Sequence, residues 1–597
     1  MVDRPLPAIV LAVLVTLGIA GMAGSAWPQT KTSAAKGLSL DPGASSAPDP
    51  LTPPEVDKPA PAAPGAPTAP AEAKPADDVD PIVAIVRQRL ASVPARASAG
   101  DKDDQAGLAA FYTELTGGPV WTDKDGRFNG RALQAIGELR KAEDWGLKAA
   151  AFDLPTLPEG SVSPEALADA EIKVGLAVLK YGRHARGGRV DPPSISRILD
   201  RKPVIYDPKT LMQGIAASSA ADAYLRDLHP KHPQFEHLRQ ALLAARAGKS
   251  DGRASAGDIQ RLVVNMERWR WMPQELGSFY VWDSVTEQIT TVYKDGKPIL
   301  TEKIVVGKPG SPTPFFSSDM LLIIFHPSWG VPPGMKVHEL LPQLKSAGGG
   351  WFFFGGGASS VLKAHDLILS RGGQPVNPDS VNWNNVDVRT YDFTQPPGPK
   401  NLLGIVKFRF PNKHDVYMHD TPERHLFNGP SRTFSHGCMR VQNPVRLAEV
   451  LLAHDKGWGT EKVAEYVRRG GEIKLTTPIP VHVGYFTAIA DDSGKVNYRA
   501  DIYGLDGRIA TALEGRSVSV ASAPSEAREP VSKAAKAAAG GKKATPTAEP
   551  GTAKVETSAL KGDQPAADAA KKRVKSTKAE KKGAKAAAST FNPFAER

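Results

Sequence analysis

The apolar positions of this chain follow two different periods. Between residues 81 and 250 they recur every three or four positions, as at Ile82, Ile85, Val86 and Leu90 and again at Leu133, Ile136 and Leu139. That spacing places them on one helical face. Asp222–Arg226 and Leu238–Leu243 read alike, and the region is expected to be mostly helical. Residues 247–257 form a polar, Gly-rich joint. Beyond Asp258 the pattern shifts to short β-branched and aromatic runs separated by turn signals such as Asp295-Gly296. Strands are expected around Phe279–Asp283, Gln288–Tyr293, Ile304–Val306, Leu321–Phe325, Val416–His419, Ile473–Leu475 and Val481–Val483. Pro444–Ala453 reads as a helix within this β-rich region. The stretch 345–398 opens on a run of glycines and aromatics (348–357) and continues polar; it reads as an insertion that covers or gates a site.

The two ends lack a core pattern. Residues 1–26 combine Arg4, an apolar run from Ala8 to Ala23 and small residues at 24–26, the layout of an export signal. The run is shorter than a comfortable bilayer span of ~20 residues; removal of this segment and its retention as an anchor both stay open. Residues 27–80 are rich in Pro and Ala, and 516–597 in Ala and Lys, and neither can bury enough apolar surface to order itself. The expected organisation is multidomain α+β: a leader (1–26), a linker (27–80), a helical scaffold (81–250), a β-rich, β-sandwich-like domain (258–515) with its insertion, and a disordered basic tail (516–597).

Charge then changes meaning. The 597 residues carry a net +11, which alone suggests an anionic partner. The tail holds 17 Lys and Arg against 8 Asp and Glu, so +9 of that charge sits there and the body is nearly neutral. Export makes nucleic acid an unsuitable partner. The one cysteine, Cys438, excludes a disulfide within the chain and any multi-cysteine zinc site.

Cys438 stands in His419-Asp-Thr-Pro…Ser435-His-Gly-Cys-Met-Arg440. A thiol with an ordinary pKa of ~8.5 needs a base or a cation to become a nucleophile. His419, ending a predicted strand, can take that proton and return it to a leaving amine. Gly437 beside it allows close approach of the backbone, so that the Gly437 and Cys438 N–H groups can hold an oxyanion. Arg440 can grip a carboxylate as a planar fork. Ser435 and His436, close before Cys438, are expected with Arg440 to contact substrate, His436 also fixing the turn. Two other readings stand beside this one: a buried, inert Cys, and a metal site drawn from His414, His419, His425, His436 and Cys438, which has no HExxH or CxxC spacing. No metal and no cofactor is expected. His326, His365 and the Trp269/Trp271 pair read as structural.

These residues resemble the signature of L,D-transpeptidase catalytic domains of the YkuD family. The resemblance spans roughly 258–514, through Asn265–Pro273, Val305–Lys308, Thr313–Phe316, Pro327–Pro332, Asn401–Phe408, Tyr417–Pro422 and Asp501–Tyr503. It is fainter over 105–245, at Phe111, Trp121 and Tyr181–Pro192, and is closest to the large periplasmic subclass with a helical scaffold and a capping insertion. It implies a cysteine acyl-enzyme formed on peptidoglycan stem peptides and resolved as a 3→3 cross-link. Cys438 would be the nucleophile and His419 the base, with Tyr417 a further candidate at the oxyanion. It also implies covalent inhibition by carbapenem-type β-lactams. Water as acceptor would give an L,D-carboxypeptidase or endopeptidase, a protein lysine would give wall attachment, and a dead site would leave a peptidoglycan-binding scaffold. Residues 247–257 leave no room for the small wall-binding module common in that subclass. The basic tail is therefore a candidate contact to anionic wall or outer-membrane surfaces.

Overall fold

The computed structural model describes residues 79–92, 97–158, 161–249, 255–348, 356–491 and 493–519. The expected leader, nearly all of the linker, residues 349–355 of the Gly-rich run and the tail beyond 519 lie outside the described residues. All described elements belong to the unit that begins at Pro75.

The first half is helical, as its periodicity predicts. Its helices start where the sequence supplies caps: Asp80, Ser98, Asn129, Ser163 and Asp207 each accept a backbone N–H of the first turn. Helix Pro164–Gly187 is the centre of this region, and its fully buried Glu171 accepts the backbone N–H groups of Val120, Trp121 and Thr122. The register of helix Gly130–Arg140 differs from expectation: Leu133 is 60% exposed, while Ala132, Ala135, Ile136 and Leu139 form the buried face.

One core covers the helices up to Leu228 except the short helix Pro192–Ile195, whose Ile195 joins the core of the β-rich region. The next helix, Pro233–Arg246, instead gives Phe235, Leu238 and Leu242 to the core of the β-rich region. It packs on helix Ala256–Arg270, which opens with a Ser255/Asp258 capping box. The polar joint at 247–257 thus connects two helices of one core, its residues 250–254 lying outside the described residues. Trp269 and Trp271 are buried in this core. The buried Arg201 guanidinium crosses to the β-rich region and donates to the carbonyls of Phe316 (2.8 Å) and Val483 (2.9 Å).

The described strands are β1 (Phe279–Ser284), β2 (Ile289–Lys294), β3 (Lys297–Gly307), β4 (Ser317–Phe325), β5 (Trp329–Gly330), β6 (Ile368–Arg371), β7 (Gln374–Pro375), β8 (Asp392–Gln395), β9 (Val406–Arg409), β10 (Met418–His419), β11 (Thr433–Ser435), β12 (Met439–Val441), β13 (Gly471–Gly484) and a separate pair, β14 (Ala488–Ala490) and β15 (Val496–Tyr498). Asp295 and Gly296 both take positive φ and turn β2 into β3, as that dipeptide predicts. The pairing order β3-β12-β10-β9-β4-β13-β1-β2 returns to β3, with β11 added on its edge. The layers expected of a sandwich are therefore one continuous sheet closed on itself. The two strands read near the C-terminus are a single one, β13, with a register shift between Lys474 and Ile479.

Between β4 and β9 the chain builds a separate module. Strands β5, β8, β6 and β7 form its sheet. Trp329, Leu340, Leu362, Leu369, Trp383, Tyr391 and Phe393 form its own core, to which Tyr417 also belongs. The insertion expected at 345–398 thus begins earlier, at Trp329. The polar residues between its apolar positions hid a small folded unit.

Candidate active site

The site is made by two short parallel strands. In β10 and β12, Met418 pairs with Met439 and His419 with Arg440. Alternate residues of a strand point to opposite faces. Met418 and Met439 are fully buried in the main core. Tyr417, His419, Cys438 and Arg440 therefore share the opposite face, two from each strand. The Met439 N–H donates to the Tyr417 carbonyl (3.1 Å), which extends the ladder to the level of Cys438.

His419 is buried, and its Nδ1 lies 2.5 Å from the carbonyl oxygen of Asp420. A carbonyl only accepts, so Nδ1 carries the proton and Nε2 keeps its lone pair, the form a general base requires. The Asp420 carboxylate is turned away: it accepts from the Ile405 N–H (2.9 Å) and from Arg424 (2.8 Å). Burial first, and the Arg440 charge second, draw the His419 imidazole down to about 3.

Cys438 is half-buried and packs against the module's core. Its Sγ is 3.8 Å from the Asp415 carbonyl. Burial pushes the thiol up to about 11. Hydrogen bonds from the backbone and phenol of Tyr417 and the charge of Lys407 act the other way, and the Asp415 carboxylate adds to the rise. At neutral pH the resting pair is thus a thiol beside a neutral imidazole.

The turn into Cys438 needs its glycine: Gly437 has φ +118°. Its carbonyl accepts from Thr313 Oγ1 (2.8 Å), which itself accepts the Gly307 N–H (2.9 Å) and so ties the turn to β3. Ser435 Oγ donates to the Cys438 carbonyl (2.5 Å) and accepts the Gly437 N–H (3.2 Å). The Gly437 N–H expected to face an oxyanion is therefore engaged within the turn. His436 faces the module: its Nε2 is 2.7 Å from Glu339 Oε1 and 3.0 Å from Lys308 Nζ. Arg440 is buried with its Nη1 on Glu423 Oε2 (2.6 Å), so it forms part of the wall beside His419 rather than an exposed fork.

His414 pairs with Asp200 (2.8 Å) and His326 with the Val467 carbonyl (2.6 Å), both away from this face. Among the described residues no group of three or more His, Cys, Asp and Glu is arranged to hold a metal ion.

Two residues escaped the sequence reading. Lys407 is the cross-strand partner of His419 in β9, with its Nζ 3.8 Å from the centre of the Tyr417 ring. The alternation Val406-Lys407-Phe408-Arg409 carries the signal, since Val406 and Phe408 are fully buried and place Lys407 on the other face. Asp415, in a left-handed conformation (φ 51°), sits just before β10, and only the folded turn reveals its nearness to Sγ.

Comparison with known proteins agrees with this geometry. Residues 106–242 match the family model of the Scaffold domain, and residues 278–481 that of the L,D-transpeptidase catalytic domain, YkuD. A curated protein of Haemophilus influenzae, provisionally named an L,D-transpeptidase, is 30% identical over 254 residues, 42% of this chain and 49% of the relative. The chain thus spans about half the length of that relative. Similar solved structures include an L,D-transpeptidase in complex with imipenem (14% identity, 35% of this chain and 59% of that one, TM-score 0.16). Another is the L,D-transpeptidase from Mycobacterium smegmatis (14%, 35% and 58%, 0.16). Likeness at that level carries no argument about this fold. The family models carry the assignment: this chain contains a Scaffold domain followed, over residues 278–481, by an L,D-transpeptidase catalytic domain of the YkuD family.

Proposed function

We propose that this protein is an exported peptidoglycan L,D-transpeptidase that forms 3→3 cross-links through a thioester on Cys438. The observation that carries the reading is the in-register face that brings His419 and Cys438 together within the family's catalytic domain. His419 Nε2 takes the thiol proton as Sγ attacks the carbonyl of the third residue of a tetrapeptide stem. The carbonyl becomes an oxyanion, held by the Cys438 N–H and the Tyr417 phenol, with the Gly437 N–H joining if Ser435 Oγ turns aside. Collapse breaks the C–N bond. The proton passes from His419 to the departing D-Ala amine, leaving a thioester. The side-chain amine of a second stem then attacks, His419 accepts its proton, and Cys438 leaves as thiol. No cofactor enters the scheme. The module that starts at Trp329 packs over Cys438 and Tyr417 and would bound the stem-binding groove.

The test is product analysis. The full chain is incubated with a disaccharide tetrapeptide, and products are read by mass. Cross-linked dimer with release of D-Ala, lost in Cys438→Ala and His419→Ala, supports the reading. Tripeptide without dimer, even with an added amine acceptor, would assign a carboxypeptidase instead. No product from a folded wild-type chain would leave only a wall-binding role.

The basic tail supplies a second proposed contact, to anionic wall or outer-membrane surfaces. Binding of isolated sacculi should weaken with salt and fall on deletion of 516–597; unchanged binding at low salt would sink it.

A further inference from the structure

Three cations lie on the nucleophile's side of the sheet, and they are not equivalent. Arg440 is already paired with Glu423 (2.6 Å). Arg409 is exposed at the edge of β9, where solvent screens its charge. Lys407 is half-buried and, among the described residues, makes no ion pair with a carboxylate. Its register opposite His419 sets it one strand away from the base, and its ammonium lies over the Tyr417 ring. The Tyr417 phenol in turn draws the Cys438 thiol's pKa down. A cation above a phenol ring raises the acidity of that hydroxyl and strengthens it as a donor.

We propose that Lys407 is a positioning residue that stabilises the Cys438 thiolate, directly through its charge and indirectly by polarising the Tyr417 hydroxyl. The site needs such a group, because a buried thiol and a buried imidazole together favour the neutral pair. The groups that face Cys438 are Tyr417 and His419 from β10, Asp415 before it, Lys407 from β9 and Arg440 from its own strand. Of these, Asp415 opposes the thiolate, and Arg440 is offset by Glu423. Burial lowers the Lys407 ammonium itself, and Cys438 and Asp415 counter that fall, as a mutually supporting set would. This inference rests on reading Cys438 as the nucleophile, yet it concerns the sulfur alone and is testable without substrate.

The chain has one cysteine, so alkylation by iodoacetamide, followed by intact mass, reports on Cys438 only. Rates are measured from pH 6 to 11 on the full chain as wild type, Lys407→Met and Lys407→Arg. An opposing charge is worth ~1–3 pKa units, so at pH 8 Lys407→Met should alkylate ~10-fold slower or more. Lys407→Arg should recover most of the rate. An unchanged rate across this pH range in Lys407→Met would overturn the proposal. Equal slowing in Met and Arg would do so too, since it would assign the effect to packing on Tyr417. If Lys407→Met fails to melt cooperatively, Lys407→Gln carries the same expectation. Normal wild-type alkylation without cross-linked product would refute the proposed function and leave this inference standing.

Discussion

His419 stands directly opposite Arg440 in the parallel ladder between β10 and β12, and that pairing fixes the register of the site. A slip of one residue would turn Cys438 toward the core side of the sheet. The Glu423 carboxylate holds Arg440 in place at 2.6 Å. Glu423→Ala would leave a buried guanidinium without that counter-charge, at a cost of ~3 kcal/mol. Urea unfolding should show the loss, and activity should fall with it; an unchanged midpoint would assign the register to other contacts.

Gly437 is constrained by conformation more than by space. An added Cβ would meet nothing nearer than 3.7 Å, but φ is +118°. Gly437→Ala should cost about 1–3 kcal/mol through backbone strain alone. Cys438 alkylation in that variant should change even where the chain stays folded, because the strain is released next to the nucleophile. A Tm and an alkylation rate like the wild type's would contradict this.

The contact from His436 to Glu339 joins the catalytic turn to the module that packs over Cys438. Glu339→Gln removes its charge. KM for a stem peptide should rise several-fold with little change in kcat or Tm, since the module keeps its own core. A drop in kcat with KM unchanged would place Glu339 in the chemistry instead.

The pH dependence of stability has two opposing sources. His184 and His419, each near 3, and His482, near 4, are held below the usual histidine range chiefly by burial. Between those values and ~6.5 the unfolded chain binds more protons, so stability falls as pH drops through that window. Asp283, buried in β1, is pushed up to about 7. Between ~3.9 and 7 the folded chain keeps a proton there that the unfolded chain gives up, so this group lowers stability as pH rises. Asp283→Asn should therefore raise Tm by a few degrees at pH 8 and leave it nearly unchanged at pH 4. A gain larger at pH 4 would contradict the assignment.

How much was legible in the sequence follows from what each element rests on. The helical region, β1 to β4 and the Asp295-Gly296 turn depend on local period and φ preference, and these can be read from the chain. Cys438 stood out as a candidate nucleophile because a lone Cys among Ser, His, Gly and Arg is not a core pattern. Closure of the sheet could not, since it depends on β2 pairing with β3 on one edge while β12 joins the other. The folded module stayed hidden because its core is assembled from scattered residues such as Trp329, Leu369 and Trp383. Lys407 was missed for a related reason. Its alternation was visible, but its partner across the strands was not.

The central claim, that Cys438 is the acylated nucleophile, is tested most directly by intact mass after incubation with imipenem. The account predicts one adduct per wild-type chain, none on Cys438→Ala, and slower formation on a folded His419→Gln. An adduct of equal yield on Cys438→Ala, or none on a folded wild-type chain, would contradict it.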